Sequence, residues 1–224
     1  MAVYRVEIQA AEDSPSMSDS IVLVLRRLAL GCRAVMGVPL LLPLLVARNR
    51  LVVLADCECW SSAQGRGARR DVRQLLSLLA LRDFRTVYLY RLRHGGLTTL
   101  LLSEVLSWLY PGEQTLLIWT AEIGPGLYVQ HGIATIVAAR RIGANAWINQ
   151  QVTIGYTNAT DTPELGDNVT VGCGAKILGN VHVGDGAVIG ANAVVVKNVP
   201  PGCTVVGVPA RIVRREGVRV NESL

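Results

Sequence analysis

From Leu165 onward an apolar residue falls on every sixth position: Leu165, Val171, Ile177, Val183, Ile189 and Val195. Four places after each stands a small or β-branched residue (Val169, Ala175, Val181, Ala187, Ala193, Val199). Glycine follows the apolar position directly at Gly166, Gly172, Gly184 and Gly190. No helix repeats every six residues, and a plain strand repeats every two. A six-residue period calls for a chain wound in flat-sided coils, each short strand stacked on the one before and sharing its core. The ladder runs upstream through Ile123, Val129, Ile136, Ile142, Ile148 and Ile154, with one extra residue between Val129 and Ile136. A polar insert, 155–164, precedes Leu165. At three hexapeptides to a coil, residues 117–213 give about five coils. Insertions in such repeats map to loops on one face, often the binding face, so 155–164 is the first place to look for an acceptor or partner site.

Of the 224 residues only 17% are charged and 5% aromatic, which suits a Val/Ile/Ala/Gly repeat core better than an aromatic-rich globule or a disordered chain. The net charge of +5 is spread thinly, and no basic strip interleaved with aromatics occurs, so nucleic acid is not an expected partner. The five cysteines (Cys32, Cys57, Cys59, Cys173, Cys203) are irregularly spaced. Cys57 and Cys59 have no second Cys or His pair near them, so free thiols in a reducing cytoplasm are expected rather than a metal site.

The N-terminal half reads as a loose end over 1–20, then a helical domain over 21–113. Residues 21–56 are apolar but carry Arg26, Arg27, Arg33, Arg48 and Arg50, and the uncharged run 34–47 holds Pro39 and Pro43. A spanning helix needs about 20 apolar residues, so this segment does not cross a bilayer unaided. It reads as a helical core segment, with an Arg-rimmed helix lying on a membrane surface as the alternative. Over 71–109, Val72, Leu75, Leu76, Leu79 and Leu81 fall near one helical face, and Leu100, Leu101, Val105 and Leu109 near another. Tyr110-Pro-Gly-Glu113 breaks that pattern and hands over to the coils at 114–215, followed by a tail at 216–224.

Three histidines are available for chemistry, His94, His131 and His182. His182 lies in a regular coil and His94 ends a helical run. His131 stands just ahead of the first phase slip, where side chains are re-aimed and functional sites often lie. Spacing alone leaves a surface histidine and a catalytic one equally open.

Several segments carry a resemblance. Trp147–Gly155, Val171–Asn180, Ile189–Val195 and Gly207–Val213 are similar to the hexapeptide-repeat acyltransferases, nearest to serine O-acetyltransferases and their relatives in exopolysaccharide biosynthesis. Phe84 to His94 resembles the end of that branch's helical domain. The likeness covers about residues 80–215. It implies an α+β fold, a helical N-terminal region followed by a left-handed parallel β-helix, and a homotrimer with active sites between subunits. It also implies acetyl-CoA as donor, with no metal.

His131 matches the family's catalytic histidine, the general base that takes the acceptor hydroxyl's proton as that oxygen attacks the thioester. Amides around Gly155 and Tyr156 would hold the oxyanion. Gly172, Gly174, Ala175, Ala191 and Ala193 would wall the pantetheine arm. Lys197 and Arg211, with Arg214 or Arg215, would reach the CoA phosphates.

This sequence also departs from the pattern. Gln130 replaces the aspartate that directly precedes the family's histidine, and Leu116 replaces the aspartate that orients it. Glu122 or a neighbouring subunit is the expected substitute. Asp161 and Thr162 stand where an Arg-His pair grips serine's carboxylate, so free serine fits less well than a sugar or similar polyol. Gln130, Asn158, Thr160 and Asp161 are the expected acceptor contacts. The chain ends Asn221-Glu-Ser-Leu224 without the family's isoleucine tail, which speaks against a complex with the family's sulfhydrylase partner. The expected activity is transfer of acetyl to a hydroxyl of a small polar acceptor. A non-catalytic trimerisation or scaffold module is the alternative. A metal-dependent hydratase would need three histidine ligands, and the coils hold two.

Overall fold

The computed structural model describes residues 37–67, 71–158 and 160–224. The expectations for 1–20 and for the apolar stretch up to residue 36 lie outside the described residues. A 3₁₀ helix, Val38–Leu45, opens the described chain. Pro39 and Pro43 each lack an amide donor, which explains why this apolar run does not settle into an α-helix. Four α-helices follow: α1 (Arg50–Ala63), α2 (Val72–Leu79), α3 (Arg82–Arg93) and α4 (Leu97–Leu109). Asp71 caps α2, its Oδ1 accepting the Gln74 amide at 2.6 Å. Leu75, Leu78 and Leu79 of α2 are buried with Phe84, Val87 and Tyr88 of α3.

Helix α4 reverses the expected amphipathicity. Its buried residues are Thr99, Ser103 and Leu106. Leu97, Leu101, Val105 and Trp108 point outward, Trp108 with 83% of its surface exposed. The face expected from Leu100, Leu101, Val105 and Leu109 is therefore outside. Thr99 and Ser103 tolerate burial because each hydroxyl donates to a carbonyl of its own helix turn, Gly96 and Leu100, at 3.0 and 2.7 Å. No helix among the described residues is long and apolar enough to cross a membrane.

From Leu116 the chain winds into a three-sided parallel β-helix of about five coils. One face stacks β1 (Leu116–Ile118), β4 (Thr135–Val137), β7 (Thr153–Gly155), β10 (Lys176–Leu178) and β13 (Val194–Val195). The second stacks β2 (Glu122–Ile123), β5 (Arg141–Ile142), β8 (Glu164–Leu165) and β11 (His182–Val183). The third stacks β3 (Tyr128–Gln130), β6 (Trp147–Asn149), β9 (Thr170–Val171), β12 (Val188–Ile189) and β14 (Cys203–Val206). All twelve ladder residues from Leu165 to Val199 are buried.

The corners between the third and first faces take left-handed backbones at Ala134, Gln151, Gly174 and Asn192. Those between the second and third use Gly126, Asn145, Asn168, Gly186 and Gly202. Gly and Asn accept this conformation at least cost. The periodicity misplaces one rung: Val137, fully buried, pairs with Ile154, while Ile136 is only partly buried. The extra length at the corner is thus two residues, and the next segment is one short.

The expected tail at 216–224 is instead structured. Glu216 and Gly217 both have positive φ and turn β15 (Arg211–Arg215) into the antiparallel β16 (Val218–Ser223). Two such residues form the favoured two-residue hairpin turn. This hairpin extends the third face beyond β14.

At the opposite end α1 and α3 pack against β3, and α3 also packs against β1. A polar clamp joins the two halves. Asp56 of α1 and Arg91 of α3 pair, Asp56 Oδ1 accepts the amides of Gly126 and Leu127 at 2.8 and 2.9 Å, and Arg91 donates to the carbonyls of Ile123 and Gly124. Trp60 Nε1 donates to Leu127 O at 2.8 Å, and its ring meets Phe84 and Tyr128 edge-on.

Candidate active site

The irregular corner that carries His131 spans residues 131–134, between the end of β3 and the start of β4. His131 and Ala134 both adopt left-handed backbones, with φ 53° and 52°. Neither is Gly or Asn, so each costs on the order of 1 kcal/mol, and surrounding contacts must hold them. Those contacts come from the helical side. Asp83, in the first turn of α3, accepts the Gly132 amide on Oδ1 at 3.1 Å. Thr115 Oγ1 accepts the Ala134 amide at 3.0 Å and donates to Glu113 Oε1 at 2.8 Å. The Glu113 amide in turn donates to Thr86 Oγ1 on α3 at 2.8 Å. The Ile133 amide donates to the His131 carbonyl at 2.7 Å. His131 itself is exposed.

Partial burial lifts the Asp83 carboxyl above its ordinary value, opposed by the Gly132 amide, reinforced by Glu113, and opposed again by the attraction of His131. Glu113 lies below its ordinary value, chiefly because Thr115 donates to it from both hydroxyl and amide. Glu122, one expected partner of His131, sits on the second face, where Arg141 Nε approaches it at 3.2 Å. That engagement takes it away from the His131 corner and corrects the expectation. Leu116 packs at Gly132: a methyl added there would lie 2.8 Å from its Cδ2. Asp83 leaves no signal in the sequence, because nothing in local spacing links it to a residue 49 positions later.

His131 shares an edge of the prism with part of the expected CoA wall. The Gln151 amide donates to Ile133 O at 2.9 Å, the Gly174 amide to Gln150 O at 3.0 Å, and the Asn192 amide to Cys173 O at 2.8 Å. These bonds stack the successive corners, and Gly172 and Ala191 flank them. At Gly174, with φ 71°, a Cβ would fall 2.0 Å from Asn192 Oδ1, so a side chain there would be strained and would displace that amide. Ala175 and Ala193 are fully buried. Their methyls belong to the core, and only their backbone can serve a wall.

Gln130 stands at the same corner, its Oε1 accepting from Trp147 Nε1 at 3.2 Å, and Trp147 meets Tyr128 edge-on.

Gly155, Tyr156 and the insert lie at a different edge, between the first and second faces. Tyr156 is exposed, and Gly155 is buried with its carbonyl accepting the Gly179 amide at 3.0 Å. Asp161 gathers the insert around itself: it accepts the amides of Thr157 and Asn158 at 2.8 Å each, the Asn158 side-chain amide at 3.0 Å and the Thr157 hydroxyl. These donors hold its carboxyl below the ordinary value. Asn158 Oδ1 accepts from Thr160 amide and hydroxyl, each at 3.0 Å. Asp161 and Asn158 thus shape the loop.

Lys197 and Arg211 line a cavity of about 380 Å³ with Val208, Asn221 and Leu224, and Lys197 Nζ donates to Leu224 O at 2.8 Å. Among the described residues no group of three or more His, Cys, Asp or Glu is placed to hold a metal ion.

The family model "bacterial transferase hexapeptide (six repeats)" matches residues 162–197. A serine acetyltransferase of Synechococcus elongatus is 43% identical over 105 residues, covering 45% of this chain and 43% of that protein. Among solved structures, a Neisseria gonorrhoeae serine acetyltransferase in complex with serine superposes with a TM-score of 0.58 and 32% identity, over 74% of this chain and 69% of that one. The chain belongs to the hexapeptide-repeat acyltransferases, in the serine acetyltransferase-like branch. A Brucella abortus serine acetyltransferase in complex with coenzyme A is a further relative, with a TM-score of 0.54, 27% identity, and coverage of 74% of this chain and 68% of that one. The chain spans about half the length, or less, of the curated relatives it matches. Within this family the match to the repeat model falls on the most regular coils, away from His131.

Proposed function

We propose that the protein is an acetyl-CoA-dependent O-acetyltransferase acting on a hydroxyl of a small polar acceptor, a sugar or a serine-like molecule. The observation that carries this reading is one prism edge holding both an exposed imidazole, at the solenoid's irregular corner, and a strip of Gly172, Gly174 and Ala191. A strip with so little side chain leaves room for an extended pantetheine arm, and the Lys197 and Arg211 cavity suits phosphates. In this reading His131, as the neutral imidazole, takes the hydroxyl proton. The oxygen attacks the thioester carbonyl directly, amides at Gly155 and Tyr156 steady the oxyanion, and CoA leaves as the thiol once it is protonated. Gln130 and the insert around Asn158 and Asp161 face the acceptor. Relatives crystallised with serine and with coenzyme A support both halves of this assignment.

His131 and the insert lie on different edges of one prism. Bringing both to one acceptor requires a second copy, which supports a homotrimer with sites between subunits. Free thiols at Cys57, Cys59, Cys173 and Cys203 suit a cytoplasmic setting. Exposed Leu42, Leu45, Val46 and Leu51 beside Arg48 and Arg50 support peripheral contact of 21–56 with a membrane surface.

The test is acetyl-CoA turnover against a panel of serine, homoserine and sugars, read as thiol release. His131→Ala is expected to lower kcat by about two to four orders of magnitude with the assembly intact. Wild-type protein that binds no CoA and turns over no acceptor would leave the scaffold reading in its place.

A further inference from the structure

We propose that Asp83 is the positioning residue for His131: it pins the turn that carries the imidazole and sets a negative charge beside the ring that gains the acceptor's proton. The proposal rests on the reading of His131 as the base. Asp83 Oδ1 accepts the amide of Gly132, the residue immediately after His131, at 3.1 Å. A methyl on Gly132 would lie 3.2 Å from that oxygen and 2.8 Å from Leu116 Cδ2. Carboxylate and leucine thus close on this backbone from two sides, and Asp83 is the one that carries charge.

Asp83 and His131 attract each other electrostatically. Glu113, the other carboxylate nearby, is engaged by Thr115, and Glu122 lies on the second face with Arg141. Glu113 also acts on Asp83, and Arg82 acts on Glu113 in turn. Asp83 itself is anchored well, since the first turn of a helix favours a negative charge and the following Phe84 is buried. An imidazole that becomes cationic during proton transfer is stabilised by a carboxylate already in place, without reorganisation at the moment of reaction. Left-handed φ at His131 makes the ring's aim depend on the turn being held.

The experiment compares wild type with Asp83→Asn, which keeps an oxygen for the Gly132 amide but loses the charge, and with Asp83→Glu. Kinetics are measured with acetyl-CoA and the best acceptor. Selectively labelled glycine and histidine report the Gly132 amide and the His131 ring by NMR as pH is lowered. Asp83→Asn is expected to lose about tenfold to a hundredfold in kcat, with the acetyl-CoA KM within about twofold, and Asp83→Glu to recover part of the loss. In wild type the Gly132 and His131 signals shift together as Asp83 is protonated, and that step disappears in Asp83→Asn. Unchanged kcat in Asp83→Asn, or persistence of the shared step, overturns the proposal. If wild type acetylates no hydroxyl, the function reading fails, and the NMR step alone decides whether Asp83 and His131 are coupled.

Discussion

Asp56 and Arg91 meet at 2.8 Å where the helices join the first coil, with only 2% and 4% of their side chains exposed. Each also serves the backbone of 123–127, so the pair welds α1 and α3 to the corner ahead of β3. Asp56→Asn leaves the Arg91 charge uncompensated in the interior. It is expected to lower unfolding free energy by about 3 kcal/mol or more, measured by urea titration. Replacing both residues by apolar ones removes the unpaired charge but strips the amides of Gly126 and Leu127 and the carbonyls of Ile123 and Gly124 of their partners. It should therefore be no milder than the single change, and a double variant near wild-type stability would contradict the argument.

Separate edges for His131 and the 155–164 insert make a mixing experiment decisive. A variant lacking His131 and a variant with the insert cut back should each be inactive alone. Refolded together, mixed assemblies should regain a measurable fraction of wild-type turnover, because some interfaces combine an intact edge from each chain. Activity that stays at the level of the parents would show that one chain supplies both parts.

Burial pushes the Cys57 thiol up to about 11, from 9.0 for a free cysteine. Above pH 9 the unfolded chain therefore loses this proton before the folded one does. By linkage, stability falls as pH rises from about 9 towards 11, by up to about 2 kcal/mol. Cys57→Ala should flatten that slope in a series of denaturation curves. The same protonated, 1% exposed thiol should also resist maleimide at neutral pH, and rapid labelling of the native protein would speak against it.

The outward stripe of Leu97, Leu101, Val105 and Trp108, beside exposed Arg48 and Arg50, predicts binding to anionic vesicles. Phosphatidylglycerol vesicles should co-sediment with the protein and shift Trp108 emission to the blue, while zwitterionic vesicles should not. Leu101→Glu with Trp108→Glu should abolish the effect. If these changes alter oligomer size instead and leave vesicle binding intact, the stripe faces another copy of the chain.

The solenoid was legible because every inward position of 165–199 repeats at the same spacing, and the same spacing failed where the corner lengthened. There Ile136 and Val137 are both β-branched and either could fill the rung, so pattern alone could not choose between them. Composition misled at α4, since leucines mark an inner face only when nothing else is to cover them, and Thr99 and Ser103 satisfy themselves locally. The Glu216-Gly217 hairpin carried a readable turn signal that resembled a simple end of chain. His131 could be found from its irregular position and its family match. Asp83 could not, because its partner is a backbone amide, which leaves no mark on side-chain spacing.

A stack of parallel strands would ordinarily offer its last rung as a template for endless addition. Here the third face ends in a hairpin: β15 runs against the solenoid strands, and the last strand, β16, carries exposed Arg219, Asn221 and Glu222, while helices occupy the opposite end. Fibre growth along the axis is thereby blocked on that face. Whole turns inserted or deleted between these two stoppers would change the molecule's height without reopening either terminus, so the prism can vary in length while remaining a discrete particle.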